Sequence, residues 1–135
     1  MTLDGFIALL QADSGVNGLV AGRVYKSVLP RGYILPAIAV HRYGGTQDYE
    51  LLGPVEVRED QIQVDTYGAN ADACEQVTEA VRSLLVGYTG TMSDQTVVQG
   101  CYLERDMDLP FLPHADAKGI ADRSCLGFRI VSKRV

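Results

Sequence analysis

The stretch "NADACEQVTEAVRSLLVGY", residues Asn70–Tyr88, predicts the central helix of this chain. Its apolar residues recur three or four positions apart and therefore share one helical face; they are Ala73, Val77, Ala80, Val81, Leu84 and Tyr88. Asn70 can cap the first turn, and Asp72 lies favourably near the positive end of the helix dipole. Gly87 supplies a stop. A helix with one apolar stripe has to pack on a second layer.

Two strands are predicted before this helix. Pro36 cannot donate to a sheet ladder and favours an extended residue before it, so the first strand is expected to cover Ala37–Tyr43. The segment Val55–Tyr67 alternates apolar and polar residues, as a half-buried strand does. Its apolar positions change from odd to even numbers along the way. This change predicts a bulge or a break near Arg58–Asp60.

Two further strands are predicted after the helix, and another helix at the start of the chain. The later strands are Thr96–Asp106 and Ser124–Ser132. In the second of them, three large apolar residues alternate on one face; they are Leu126, Phe128 and Ile130. Apolar residues three and four apart predict an opening helix over Leu3–Leu10, which the turn-forming stretch "ADSGVNG" is expected to end.

The element order α-β-β-α-β-β favours the α+β class. It predicts a mainly antiparallel four-stranded sheet with helices packed on one face. A chain of 135 residues without a linker or a repeat is expected to form a single domain, residues 1–135. Two longer connections, about 44–54 and 107–122, are expected to project from it as loops.

Composition narrows the classes of function. A net charge of −5 disfavours nucleic-acid binding, because that binding depends on Lys and Arg neutralising phosphates. The first ten residues do not resemble a signal peptide, and the sequence contains no apolar run long enough to span a membrane. The three cysteines, Cys74, Cys101 and Cys125, are therefore expected to be reduced, buried thiols.

No metal, cofactor or catalytic site is predicted. Neither His41 nor His114 has a second His or Cys at metal-ligand spacing. A zinc site built from Cys101, Cys125 and a distant His is an alternative, although two thiols packed in a sheet are favoured. The acidic series Glu104–Asp108 imitates the start of a calcium loop but lacks the expected Gly and closing Glu.

The two projecting loops carry more apolar side chains than ordinary solvated loops. They either fold back over the domain's own core or contact a neighbouring molecule. Burying one such side chain contributes roughly 1.5 to 3 kcal/mol, which is similar to the roughly 1 to 2 kcal/mol lost in fixing each loop residue. We therefore expect the loops to become ordered in an assembly, with contact residues Tyr49, Leu51, Leu52, Leu109, Phe111 and Leu112.

The order of several short motifs resembles a known family. The first is "RVYKSVLPRGYILPAI" at Arg23–Ile38, followed by Asp65, then "ERD" at Glu104–Asp106 and "FRI" at Phe128–Ile130. In this order they resemble the tail-completion, or tail-to-head joining, proteins (tail terminators) of phages with long, non-contractile tails. The resemblance covers almost the entire chain.

The resemblance implies a non-enzymatic virion protein, made in the host cytoplasm, that caps the tail tube as a ring. The ring is expected to be a hexamer that contacts the tail tube protein on one side and the head-closure or connector protein on the other. DNA would pass through its bore without specific binding. Two alternatives stay open: another neck component such as a head-closure protein, and a small cytosolic ligand-binding or enzymatic domain using His41, Asp65 and the thiols.

Overall fold

The computed structural model describes residues 3–51, 53–111 and 121–134. Helices and strands follow each other along these residues in the order α-α-β-β-β-α-β-β-β. The helices are α1 (Leu3–Ala12), α2 (Ser14–Val20) and α3 (Ala71–Leu85). The strands are β1 (Val24–Lys26), β2 (Ala37–Glu50), β3 (Gly53–Gly68), β4 (Gly90–Thr91), β5 (Thr96–Phe111) and β6 (Ala121–Arg134). None of the described helices is long and apolar enough to cross a membrane.

The strands form one mixed sheet with the spatial order β1-β2-β3-β6-β5-β4. Strand β1 is parallel to β2, and every other neighbouring pair is antiparallel. The predicted four-stranded antiparallel sheet in the order α-β-β-α-β-β is therefore wrong. The sequence analysis missed β1 and β4 because strands of 3 and 2 residues are too short to show a period of two.

Helix α2 was also missed, because its Ser, Gly and Asn residues are typical of turns. The backbone N–H of Val16 donates to the Asp13 carboxylate at 3.0 Å, which caps the first turn. Val16 and Val20 are fully buried. Capping and the burial of two valines therefore outweigh the low helix propensity of the other residues.

The two helices predicted from apolar periodicity, α1 and α3, are confirmed. The Asn70 side chain accepts a hydrogen bond from the N–H of Ala73 at 2.9 Å, as a capping residue does. One apolar core lies between the helices and one face of the sheet. Its members include Phe6, Leu10, Val16, Val77, Val81 and Leu85 from the helices, and Ile38, Val40, Ile62, Val64, Leu126, Phe128 and Ile130 from the sheet.

The first segment predicted as a projecting loop is largely strand, and the described residues of the second, 107–111 and 121–122, are strand as well. Strands β2 and β3 stay paired up to Glu50 and Gly53, with an extra residue in β2 between Arg42 and Gly44. A second shift of register lies in β3 directly before Arg58, because Gln47 is opposite Arg58 and Tyr49 is opposite Pro54. The irregularity predicted near Arg58–Asp60 is therefore found beside Arg58 in the pairing with β2, whereas the β3–β6 ladder is continuous from residue 57 to residue 68. Strands β5 and β6 likewise pair as far as residues 111 and 121.

Candidate assembly surface

The first hairpin, residues 44–54, presents the one predicted contact side chain that the structure describes. Leu51 lies at the turn, and its side chain is as exposed as in an extended peptide, with a relative accessibility of 102%. Tyr49 lies in β2 with its backbone opposite Pro54. Leu52 lies outside the described residues. The exposure of Leu51 is what a contact residue requires in a free subunit.

The second hairpin, the end of the β5–β6 pair, carries the other predicted contact residues. The backbone of Leu109 lies opposite Arg123, and that of Phe111 lies opposite Ala121. Leu112 falls outside the residues that are described. The contacts of these three residues with a partner stay a prediction.

A buried carboxylate lies where the first hairpin leaves the body of the sheet. Asp60 has no exposed surface, and its Oδ1 accepts hydrogen bonds from Nε of Arg42 at 2.7 Å and Nη2 of Arg58 at 3.1 Å. Both arginine side chains stay partly exposed. Two guanidinium groups therefore balance one buried charge and pin β2 to β3 at this point.

Gly45 makes this charged cluster possible. A Cβ atom at this position would collide with the guanidinium group of Arg42 and lie 2.8 Å from Oδ1 of Asp60. The pair of glycines that ended the first predicted strand therefore lies within β2, where the arginine folds across it. A glycine inside a strand often marks such a close approach. That signal was available from the sequence, but the position of the carboxylate was not.

The face of the sheet opposite the helices carries arginines stacked on tyrosines. Arg129 lies over the ring of Tyr102 at 4.7 Å, and Arg105 over the ring of Tyr43 at 5.6 Å. Gly127 lies beneath the second pair, since a Cβ there would be 3.0 Å from Cβ of Arg105. These cation–π pairs cover apolar ring surface. Arg129 also pairs with Glu59 at 3.0 Å and with Glu104 at 3.5 Å, so its charge is balanced on this face.

Asp65 lies on the same face and is also paired. Its carboxylate accepts hydrogen bonds from Nη2 of Arg123 at 2.8 Å and from Nε2 of Gln63 at 2.9 Å. Burial, together with the charge of Asp65, raises the pKa of Tyr67 and raises that of Cys125 to about 11. Asp65 therefore has a structural role in holding β3 to β6.

The residues of the alternative ligand-binding or enzymatic hypothesis are divided between the two faces of the sheet. Asp65 lies opposite Cys125 on the face away from the helices. His41 lies opposite Gln63, whereas Cys101 lies among core residues opposite Ile130. Burial raises the pKa of the Cys101 thiol to about 12, which keeps it protonated. All three cysteines are buried and unpaired, as expected. Within the described part of the chain, no three His, Cys, Asp or Glu residues are placed to hold a metal ion.

The best-defined groove lies between α3 and the start of β6, with a volume of about 490 Å³. Its acidic side chains are largely engaged inside the protein. Arg82 donates to Asp106 at 2.5 Å, and the Ser124 hydroxyl donates to Asp108 at 2.6 Å. Neighbouring Glu104 pairs with Arg129 at 3.5 Å. The series that imitated a calcium loop thus binds side chains on two other elements, α3 and β6.

The fold is shared with solved structures. A chain of the "Virion of native gene transfer agent (GTA) particle" aligns with a TM-score of 0.67 at 23% identity, over 93% of this chain and 90% of that one. A second solved structure aligns with a TM-score of 0.53 at 13% identity, over 96% of both chains. No curated protein matches the sequence. At 23% and 13% identity, these two similarities establish only that the chains share a fold.

The family model defines the class more closely. The model described as tail completion protein gp17 matches residues 5–110. The chain belongs to this tail completion family, as its motifs suggested. It is a structural protein of the phage tail and is located in the virion.

Proposed function

We propose that this chain ends the growing tail tube as a hexameric ring and joins it to the head connector. The observation that carries this proposal is the fully exposed Leu51 at the tip of the first hairpin, in a chain of the tail completion family. Leaving such a side chain in water forgoes roughly 1.5 to 3 kcal/mol that a partner's surface would recover. A ring of subunits multiplies that gain.

The remaining surfaces fit the same role. The domain, residues 1–135, would act through packing contacts and without catalysis or a cofactor. One rim of the ring would contact the tail tube protein and the other the head-closure or connector protein. The net charge of −5 supports a bore through which DNA passes with little adhesion.

The test replaces the hairpin tip. We expect the double variant Leu51→Asp, Leu52→Asp to fold normally, because Leu51 contacts solvent, and to fail in joining tails to heads, because a carboxylate at the tip resists burial. The matched control is Val28→Asp, Ile34→Asp, which adds the same two charges at positions that are 73% and 64% exposed. Joining is measured by counting tailed particles in electron micrographs, and folding by a thermal melt.

Normal joining by the double variant would overturn the role given to the first hairpin. If purified wild-type protein binds isolated connectors and leaves isolated tail tubes uncapped, the chain is instead a head-closure component. Failure of the Val28→Asp, Ile34→Asp control would show that added charge, and not the position of the tip, is responsible.

A further inference from the structure

The outer edge of β2 is covered by another strand only at its beginning. Here Ile38 N–H donates to the Arg23 carbonyl at 3.0 Å, and the Val40 carbonyl accepts from Ser27 N–H at 2.8 Å. Backbone groups alternate between the two sides of a strand, so those of Arg42 also point outward. The irregularity after Arg42 adds one residue to β2, so the next residue with outward backbone groups is Gly45. The described residues offer neither of these two a backbone partner on that side.

Among the described residues, the outer edge of β5 is open in the same way. Strand β4 covers residues 97 and 98, and Gly87 N–H donates to the Cys101 carbonyl at 3.0 Å. From Cys101 onward, every second residue of β5 points its backbone groups outward, and the irregularity before Arg105 shifts this alternation by one residue. The backbone groups of Asp106 and Asp108 therefore point outward. The backbone nitrogen of Pro110 also points outward. It carries no hydrogen, and because it faces away from β6, no hydrogen bond between β5 and β6 is lost.

Two long open edges on opposite sides of one sheet are a template for pairing with another chain. We propose that the outer edge of β2 in one subunit pairs with the outer edge of β5 in the next subunit, which makes the sheet continuous around the ring. The inference rests on the proposed ring. Strands β2 and β5 run in opposite directions, so a rotation that brings them together pairs them antiparallel. Within one subunit Arg42 is level with Leu103 and Asp106 is level with Val40, so the two open parts meet only if the strands are tilted from the ring axis, as they are in a closed barrel.

Charge favours this pairing over like-with-like pairing. Arg42, Asp106 and Asp108 all project on the side of the sheet that bears the helices, because they lie opposite Ile62, Leu126 and Ser124. Opposite charges on one face attract across a strand pair, and like charges repel. Two β5 edges would bring acidic residues together. A β2 edge against a β5 edge is heterologous, which is the arrangement that closes rings.

Apolar side chains on the other face of the sheet add to the match. Tyr43 on β2, and Tyr102 and Met107 on β5, are among the large apolar residues that stay more than 40% exposed in the single subunit. All three belong to β2 and β5, the two strands whose outer edges are open beyond β1 and β4. Edge pairing would cover part of each of them and so add apolar burial to the backbone hydrogen bonds.

The first test removes one outward N–H group. Asp106→Pro deletes a donor on the open edge, while Asp106→Ala removes the same side chain, with its bond to Arg82, and keeps the donor. We expect the alanine variant to form rings that are weakened by the loss of one acidic side chain, and the proline variant to form none, as measured by native mass spectrometry. Normal rings from the proline variant would overturn the pairing.

The second test works even if the proline variant fails to fold. Thr46→Cys on the β2 edge is mixed, under mild oxidation, with Tyr102→Cys, Glu104→Cys or Asp106→Cys on the β5 edge. All three native cysteines are buried, so disulfide-linked dimers report the engineered thiols. Linked dimers should form in at least one mixture and in none of the variants alone. Linkage within a single variant, or in no mixture, would contradict the pairing.

The two proposals fail in distinguishable ways. If the wild-type protein forms no ring and caps no tube, the proposed function is wrong. If the wild type forms rings while Asp106→Pro forms them equally well and no mixture links, the ring exists and its subunits meet elsewhere.

Discussion

The helix-covered part of the sheet and the first hairpin are built from the same two strands by different means. In the covered part, Ile62 and Val64 of β3 are fully buried in an apolar core. The next position of β3 on the core face is Asp60, two residues before Ile62, and two arginines bind its carboxylate. Beyond Asp60 the hairpin extends to its tip, where Leu51 is exposed. Apolar burial therefore stabilises the body, while charged pairing holds the strands together at the base of a hairpin with an exposed tip.

The largest effect is expected in the covered part. Phe128→Ala removes a fully buried ring from the centre of the core and should lower the free energy of unfolding by roughly 3 to 5 kcal/mol. Urea denaturation followed by circular dichroism measures it. The control is Leu51→Ala at the exposed tip, for which we expect a change within about 0.5 kcal/mol. Equal effects at the two sites would remove the contrast between body and hairpin.

A smaller effect is expected at the boundary. Asp60→Asn takes the charge away from between Arg42 and Arg58 and should destabilise the fold by about 1 to 3 kcal/mol. The neighbouring change Glu59→Gln breaks a partly exposed pair with Arg129 and should change the same free energy by less than about 1 kcal/mol. A neutral outcome for Asp60→Asn would mean that the cluster does not hold the hairpin's base.

The smallest effect at neutral pH comes from Cys101. Its pKa is about 12 in the fold against an ordinary 9.0, so the folded state keeps its proton longer than the unfolded state as pH rises. Stability due to this thiol is complete below pH 9 and is lost towards pH 12. Between pH 9 and pH 12 the free energy of unfolding of the wild type should therefore fall more steeply than that of Cys101→Ala. Cys125 and Tyr67 titrate in both proteins, so the difference between the two curves reports Cys101 alone. Parallel curves would contradict the burial of this thiol.

Periodicity made the covered part predictable. Leu126, Phe128 and Ile130 of β6 alternate on one face, and all three are buried as predicted. Helix α3 was also found, but only Val77 and Val81 of its predicted stripe are fully buried. Its buried face is completed by Cys74, Thr78 and Leu85, which the stripe did not include. The short strands β1 and β4 contain too few residues for any period. Their absence from the prediction turned a mixed six-stranded sheet into an antiparallel four-stranded one.

The hairpin was less predictable because its decisive interactions join distant residues. Asp60 is polar at a core-facing position, which suggested a break in the strand. Its partner Arg42 is 18 residues away, and only the fold brings the two together. The apolar residues at the tip predicted Leu51 as a contact residue, and its side chain is exposed, as such a contact requires. The polar residues between Gly44 and Glu50 did not indicate that the strand continues to Glu50.

The central claim is that this protein stops a tail tube by forming a closed ring on its end. Purified subunits added to tubes that are still polymerising should halt their growth, and images averaged over the tube ends should show a sixfold ring there. Tubes that keep lengthening with bare ends, at subunit concentrations well above that of the ends, would contradict the claim.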